Sequence, residues 1–125
     1  MDDVKIFRLI TGEDIISYFV YDDLRDEVFI DDPMVVYIKH KQGKTDLILQ
    51  HYLPVEVIKE NSIIIKGRDI LTIMHPSDSL YEYYTNSVAK IKKELIAKQK
   101  IKDEDTDDMM DIMDALEESV FQTLH

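Results

Sequence analysis

Apolar and polar residues alternate in short runs from residue 4 to residue 75, and turn-forming residues separate the runs. This period of two, with many β-branched and aromatic residues, is typical of strands. Gly12 lies in the first turn and is predicted to adopt a positive φ. Pro33 interrupts the third run and predicts a bulge or an edge position. Because no helical pattern intervenes, about five strands predict a small, strongly bent antiparallel sheet or barrel.

The pattern changes after Pro76. Ser79 followed by Glu82 fits a capping box, which predicts the start of a helix. Apolar residues then recur at spacings of three and four to about residue 100, and we expect this helix to pack on the sheet. The residues of its apolar face are Leu80, Tyr84, Val88, Ile91 and Leu95.

A second amphipathic helix is predicted near the carboxyl end, after the acidic stretch "KDEDTDD" at residues 102–108, which is predicted to be a flexible linker. Its apolar residues are Met109, Ile112, Met113, Leu116, Val120 and Leu124. The sequence thus predicts a β-barrel at 1–76, a packing helix at 77–100, and an acidic linker with a helical tail at 101–125.

The formal net charge of −11 is concentrated in the last part of the chain. Residues 101–125 hold nine acids and one base, whereas residues 1–100 hold 17 acids and 14 bases. Such a protein repels phosphate backbones at long range, so any role with nucleic acid needs a local basic site.

The chain has no cysteine and no apolar run long enough to span a membrane, so we expect a soluble, cytoplasmic protein.

No pattern of catalytic residues is recognisable. The four histidines are far apart and form no HxxxH or HExxH spacing, and the phosphate-binding motif GxxxxGK[ST] is missing. Adjacent acids, as in "FIDDP", point to opposite faces of a strand and do not form a catalytic pair by themselves. The sequence therefore predicts neither an enzyme nor a metal or cofactor site.

Two stretches together resemble the signatures of Sm and LSm proteins. "VKIFRLITGEDIISYFVYDDLRDEVFIDD", from Val4 to Asp32, is similar to the first signature, and "IKGRDILTI", from Ile65 to Ile73, to the second. The resemblance covers residues 4–75. With its acidic surface and a helix after the barrel, the chain looks most like the divergent Sm-like proteins of marine phages (cyanophages).

The resemblance implies a five-stranded, strongly bent antiparallel barrel whose copies pair edge strands into a closed homo-oligomeric ring, for which we expect five to seven subunits. It implies binding of single-stranded RNA, or of single-stranded DNA, with a role in RNA processing or stability. The alternative is a structural or assembly ring that binds protein through its acidic helical tail. Neither function involves a cofactor or a membrane.

The resemblance also places the RNA site between the loops of the two signatures. Its residues in this chain are Arg25, Glu27, Lys66, Gly67, Arg68 and Asp69. Glu27 departs from the asparagine of the family and can only accept hydrogen bonds, although it could also pair with Lys66 or Arg25. Two interpretations of Gly67 stay open: a positive φ at a tight corner, or a bare backbone that a base approaches while the adjacent cations contact phosphate.

Overall fold

The structure, a computed structural model, describes residues 3–104, with side chains for residues 3–98. Within this range, six strands precede one long helix, and a short 3-10 turn joins the last two strands. The elements are β1 (Val4–Leu9), β2 (Asp14–Asp22), β3 (Glu27–Lys41), β4 (Lys44–His51), β5 (Ser62–Lys66), the 3-10 turn (Gly67–Asp69), β6 (Ile70–Met74) and α1 (Asp78–Glu104). The prediction of a mainly β fold with a helix after the strands is confirmed.

All strand pairs are antiparallel, and their order is β4-β3-β2-β1-β6, with β5 also paired to β3. β2 pairs along one edge of β3, while β4 and β5 share the other edge. The described sheet has six strands where about five were predicted, and β5 and β6, which the 3-10 turn separates, pair with different neighbours. Gly12 has a φ of 94°, as predicted for the first turn.

A bulge in β3 confirms the prediction made from Pro33. Ile16 faces Met34 across the β2–β3 ladder and Tyr18 faces Asp31, so Asp32 and Pro33 together stand opposite the single residue Ser17. Asp32 has a positive φ of 54°. The buried Ser17 hydroxyl donates to the Asp31 carbonyl oxygen at 2.9 Å. Proline has no N–H to donate, so a bulge is where a long strand accommodates it.

The main core lies between the strands, where a cluster of buried apolar side chains meets. Its fully buried members come from β1, β2, β3 and β5, and partly buried Phe19 packs against them with its ring 5.4 Å from that of Phe7. Because β1 and β3 each contribute alternate residues to this core, the period of two in the sequence has its physical cause here. The buried members are Phe7, Leu9, Ile15, Val28, Ile30 and Ile65.

The helix α1 begins earlier than a capping box at Ser79 requires. The Ser77 hydroxyl, and not that of Ser79, accepts the backbone N–H of Leu80 at 3.2 Å. Ser77 is therefore the N-cap and Leu80 the N3 residue, so the predicted capping box with Glu82 is wrong. Both serines are suitable caps by residue type, and only the path of the chain after β6 decides between them.

Tyr84 packs the start of α1 against the sheet, as predicted. Its ring lies 5.3 Å from that of Tyr18, and its hydroxyl donates to the Asp32 carbonyl oxygen at 2.6 Å while accepting the Tyr18 backbone N–H at 3.3 Å. Burial raises the pKa of the Tyr84 hydroxyl far above its ordinary value. The hydroxyl thus satisfies backbone groups that the bulge at Asp32 leaves out of the regular ladder.

The chain divides into two compact units at Asn86, within α1. The helix continues to Glu104, so residues 102–104 of the predicted linker are helical. The rest of that linker and the predicted second amphipathic helix lie outside the described residues. Within residues 3–104, no helix carries an apolar stretch of the length that crossing a membrane requires.

We predict that Tyr84→Phe lowers the free energy of unfolding by about 1–3 kcal/mol, because it removes a buried hydroxyl that bonds two backbone groups. Chemical denaturation followed by circular dichroism measures this change. Tyr37→Phe is the matched control, since Tyr37 is 45% exposed and the change should cost less than about 0.5 kcal/mol. Equal stability of the two variants would contradict the role given to Tyr84.

Candidate functional site

The loop between β2 and β3 is built by its own aspartates. The Asp22 side chain accepts the backbone N–H groups of Leu24 at 3.1 Å and Arg25 at 3.4 Å, which folds the loop back on itself. Asp26 has a positive φ of 48°, and its carboxylate accepts a hydrogen bond of 2.7 Å from the Tyr21 hydroxyl. This hydrogen bond raises the pKa of Tyr21. The carboxylate of Asp26 is thus held by the strand that precedes the loop.

The corner between β5 and β6 is joined to this loop by the sheet itself. Antiparallel pairing places Lys66 directly opposite Glu27, and the Lys66 ammonium lies 2.7 Å from a Glu27 carboxylate oxygen. The Glu27 side chain is only 17% exposed, whereas that of Lys66 is 53% exposed. Of the two partners considered for Glu27, Lys66 is therefore the one that it binds. Strand periodicity alone does not decide this pairing, because it depends on which strands become neighbours.

Gly67, the residue after the last β3–β5 pair, also contacts the loop between β2 and β3. Its backbone N–H donates to the Asp26 carbonyl oxygen at 2.8 Å. A Cβ on Gly67 would lie 2.5 Å from Asp26 Oδ2 and would also collide with Oδ1. The φ of Gly67 is not in the left-handed region, so the interpretation that it supplies a positive φ is wrong. The Asp26 carboxylate occupies the space above the Gly67 Cα, so any larger residue at this position would displace that carboxylate.

The six predicted site residues therefore lie in two segments that touch. We call residues 22–27 and 66–69 the paired corner. Glu27, Lys66 and Gly67 make its contacts, Arg25 lies in the first segment, and the 3-10 turn carries the other two predicted residues, Arg68 and Asp69. The Asp69 carbonyl oxygen accepts the backbone N–H of Ile10 at 2.9 Å, which fixes the turn to the end of β1.

The paired corner carries more acids than bases. It contains five acids and three bases, and Lys66 is already paired with Glu27. Arg25 and Arg68 are exposed, and their side chains make no hydrogen bond or ion pair within the described part of the chain. These two guanidinium groups are therefore the cations available to an incoming anion.

Asp26 and Tyr21 are the residues that sequence reasoning missed. Once Glu27 is paired with Lys66, antiparallel geometry requires the preceding residue, Asp26, to meet the following one, Gly67. This signal can be used only when the strand pairing is known. Tyr21 lies near the end of a strand, where an aromatic side chain usually contributes packing, yet its hydroxyl holds the Asp26 carboxylate.

A cavity of about 560 Å³ opens beside the paired corner. Phe7 and Phe19 line its apolar part, Tyr21, Asp26 and Gly67 line the part next to the corner, and Lys5 also reaches it. The Lys5 ammonium lies 2.6 Å from Nδ1 of His75. Among the described residues, no group of three or more His, Cys, Asp or Glu side chains is arranged to hold a metal ion.

We predict that Gly67→Ala lowers the free energy of unfolding by about 1 kcal/mol, the low end of overpacking costs, because the exposed Asp26 side chain must turn away. In an Asp26→Ala background the same change should cost much less, since the colliding carboxylate is gone. Denaturation of the four proteins of this double-mutant cycle measures the coupling.

Gly12→Ala is the control for this cycle. Its cost arises from a φ of 94° with no atom near the added Cβ, so Asp26→Ala should leave that cost unchanged. An equal cost of Gly67→Ala in both backgrounds would show that Asp26 does not fill the space above the glycine.

Comparison with known proteins agrees with this geometry. A family model, the Sm-like domain, matches residues 6–85, which is more than half of the chain. Sm-like domains generally form oligomeric rings that bind RNA, and they are generally non-enzymatic. Comparison with curated proteins gives no match. The strand order, the two joined signature loops and the family match together show that this chain belongs to the Sm-like domain family.

Proposed function

We propose that this protein forms a ring that binds single-stranded RNA, or single-stranded DNA, through the paired corner and catalyses no reaction. The observation that carries the proposal is the junction of the two signature loops: Glu27 faces Lys66, and the Gly67 N–H donates to Asp26 at 2.8 Å. A site made of two loops that touch within one subunit is repeated once per subunit when a ring closes. Unpaired bases are the ligand that such a small pocket can accept.

Arg25 and Arg68 supply the contacts to phosphate in this proposal. A guanidinium group can bind a phosphate with two parallel hydrogen bonds or stack on a base, and both side chains are exposed. Lys66 does not contact phosphate in this proposal, because its ion pair with Glu27 holds the two segments of the paired corner together. One such site binds weakly, but several sites around a ring bind the same RNA molecule, which raises the overall affinity.

The unpaired edges of two strands, β5 and β6, support the proposal of a ring. Within the described residues, β5 pairs only with β3 and β6 only with β1, so each presents one edge with unpaired backbone groups. Exposed apolar side chains lie on these two strands, including Ile64 (60% exposed), Leu71 (63%) and Ile73 (51%). Pairing of β5 with β6 of the next copy would satisfy both edges without fibre growth if the rotation closes.

The finer features of the proposal concern the size of the ring and its biological role. We propose five to seven subunits, a role in RNA processing or stability, and action in the cytoplasm, which is that of the host cell if the chain is encoded by a marine phage. The resemblance of the sequence to divergent Sm-like proteins of marine phages supports these features.

The second candidate is a structural or assembly ring that binds protein. The excess of acids at the paired corner, together with a net charge of −11, favours this alternative because both repel phosphate. Here the acidic tail, residues 101–125, would be the docking element. Light scattering with and without these residues shows whether the tail takes part in ring assembly.

We predict that the purified protein binds short single-stranded RNA at low salt and that binding weakens as salt is added. The double variant Arg25→Ala/Arg68→Ala should reduce the slope of log K against log salt by about 0.7 for each phosphate that is no longer neutralised. Fluorescence anisotropy with labelled oligonucleotides at several salt concentrations measures both quantities.

Lys44→Ala is the control for the arginine variant. Lys44 is the first residue of β4, beside the end of β3 that lies away from the paired corner, and its replacement should leave the salt slope unchanged. Failure of oligo(U), oligo(A) and guanine-containing single-stranded RNA and DNA to bind at low salt would end the nucleic-acid proposal and leave the assembly ring.

We also predict that Ile64→Glu and Leu71→Glu each convert the ring to smaller species, because a charge at a paired strand edge opposes the contact. Light scattering coupled to size exclusion measures the mass. Val57→Glu is the control, since Val57 is 80% exposed in the segment between β4 and β5, outside either edge strand. If all three variants keep the mass of the parent protein, these edges do not form the interface.

A further inference from the structure

We infer that the paired corner reads guanine, through the carboxylate of Asp26, when it binds a single strand. This inference rests on the proposed function and adds the base that the site selects. Three features of the molecule carry it: the fixed position of the carboxylate, the pairing of the neighbouring lysine with another acid, and the cavity that leads to the carboxylate.

The Asp26 residue is held in place from two sides. The Tyr21 hydroxyl donates to Oδ1 at 2.7 Å, and the Asp26 carbonyl oxygen accepts the Gly67 N–H at 2.8 Å. A carboxylate has about four lone-pair positions, so both oxygens still accept hydrogen bonds from a ligand. An acceptor that is already oriented loses little conformational freedom when a ligand binds.

No cation in the described residues neutralises this carboxylate. Lys66, the last residue of β5, lies next to Gly67 in the chain, and its ammonium is bound to Glu27 at 2.7 Å. Asp26 takes no part in the ion pairs of Arg8 with Asp14 and of Lys66 with Glu27, so its carboxylate is open to a ligand. This position therefore selects hydrogen-bond donors and disfavours a phosphate.

The cavity provides the space in which a base would lie. Its volume of about 560 Å³ is within the usual range for small-ligand pockets, and Phe19 and the ring of Tyr21 line it beside Asp26. Leu71 and Ile73 of β6 also line it, so in the proposed ring the base would lie next to the subunit interface. Tyr21 is 48% exposed, so its ring is accessible to a base that stacks on it. Lys5 on the same cavity offers a positive charge to the sugar-phosphate that follows the base.

Guanine matches an anionic acceptor better than the other bases do. Its Watson–Crick edge presents two adjacent donors, N1–H and the 2-amino group, which fit the two oxygens of one carboxylate. Uracil presents one N–H between two carbonyl oxygens, and these would face the carboxylate unfavourably. Adenine and cytosine present one amino group beside an acceptor nitrogen. A single carboxylate in this position therefore discriminates against uracil most strongly.

The test compares three RNA hexamers, UGUGUG, UIUIUI and UUUUUU, by fluorescence anisotropy with the full chain at one salt concentration. Inosine lacks only the 2-amino group of guanosine, and the alternating sequence avoids guanine quadruplexes. We expect UGUGUG to bind about tenfold more tightly than UUUUUU, the range of a bidentate base contact. We expect UIUIUI to lose most of that gain.

Asp26→Asn is the decisive variant. The amide oxygen still accepts the Tyr21 hydroxyl, so the loop is kept, but the amide nitrogen now donates toward guanine N1–H. The ratio of affinities for UGUGUG and UUUUUU should fall to about twofold or less. Asp23→Asn is the matched control: it makes the same charge change in the same loop and should keep the ratio.

The outcomes separate this inference from the proposed function. If no hexamer binds at low salt, the proposed function fails, and the inference fails with it. If all three hexamers bind with equal affinity, RNA binding stands and the guanine inference is overturned, leaving the cavity to a neighbouring subunit. Retention of the guanosine preference in Asp26→Asn, or equal binding of UIUIUI and UGUGUG, would also overturn it.

Discussion

The ladder between β2 and β3, a strand of 15 residues, is interrupted where Asp32 and Pro33 face the single residue Ser17, and a bulge of this kind bends the strand. On one side of the bulge, β3 pairs with β5, and on the other side with β4. The Ser17 and Tyr84 hydroxyls donate to backbone carbonyl oxygens at the bulge, and the Asn61 carbonyl oxygen accepts the Asp32 N–H at 2.8 Å. Without these bonds a buried bulge would be costly. The bulge thus lets one strand pair with three others, β2, β4 and β5.

The pairing of β5 with the first part of β3 has a direct electrostatic consequence. It places Lys66 opposite Glu27 and Gly67 next to the Asp26 carboxylate. The acidic segment 22–27 and the basic segment 66–69 thus form one surface. Because Lys66 and Glu27 largely cancel, long-range attraction of a phosphate falls to the arginines. In our proposal the paired corner therefore relies on short-range recognition more than on nonspecific attraction, which is consistent with a strongly acidic chain.

Edge strands link the fold to assembly. A sheet of this size exposes unpaired backbone groups at its edges, and the family to which the chain belongs generally satisfies them by forming rings. In our proposal the same closure arranges the paired corners of all copies around one opening. Weak contacts at each corner then add along one strand of RNA, so an individual site need not be strongly basic.

The sequence by itself determined the strand-rich fold through its alternation of apolar residues and the helix after Pro76 through apolar spacings of three and four. The turn at Gly12 and the bulge at Pro33 follow from the backbone preferences of glycine and proline. The resemblance to the two signatures supplied the family and the six site residues. Only the tertiary structure decided that Asp26 covers Gly67 and that Tyr21 holds its carboxylate. The first contact joins residues that are distant in the chain, and the second depends on a φ that the sequence does not specify. The contact between Asp26 and Gly67 forms only because β5 pairs with β3.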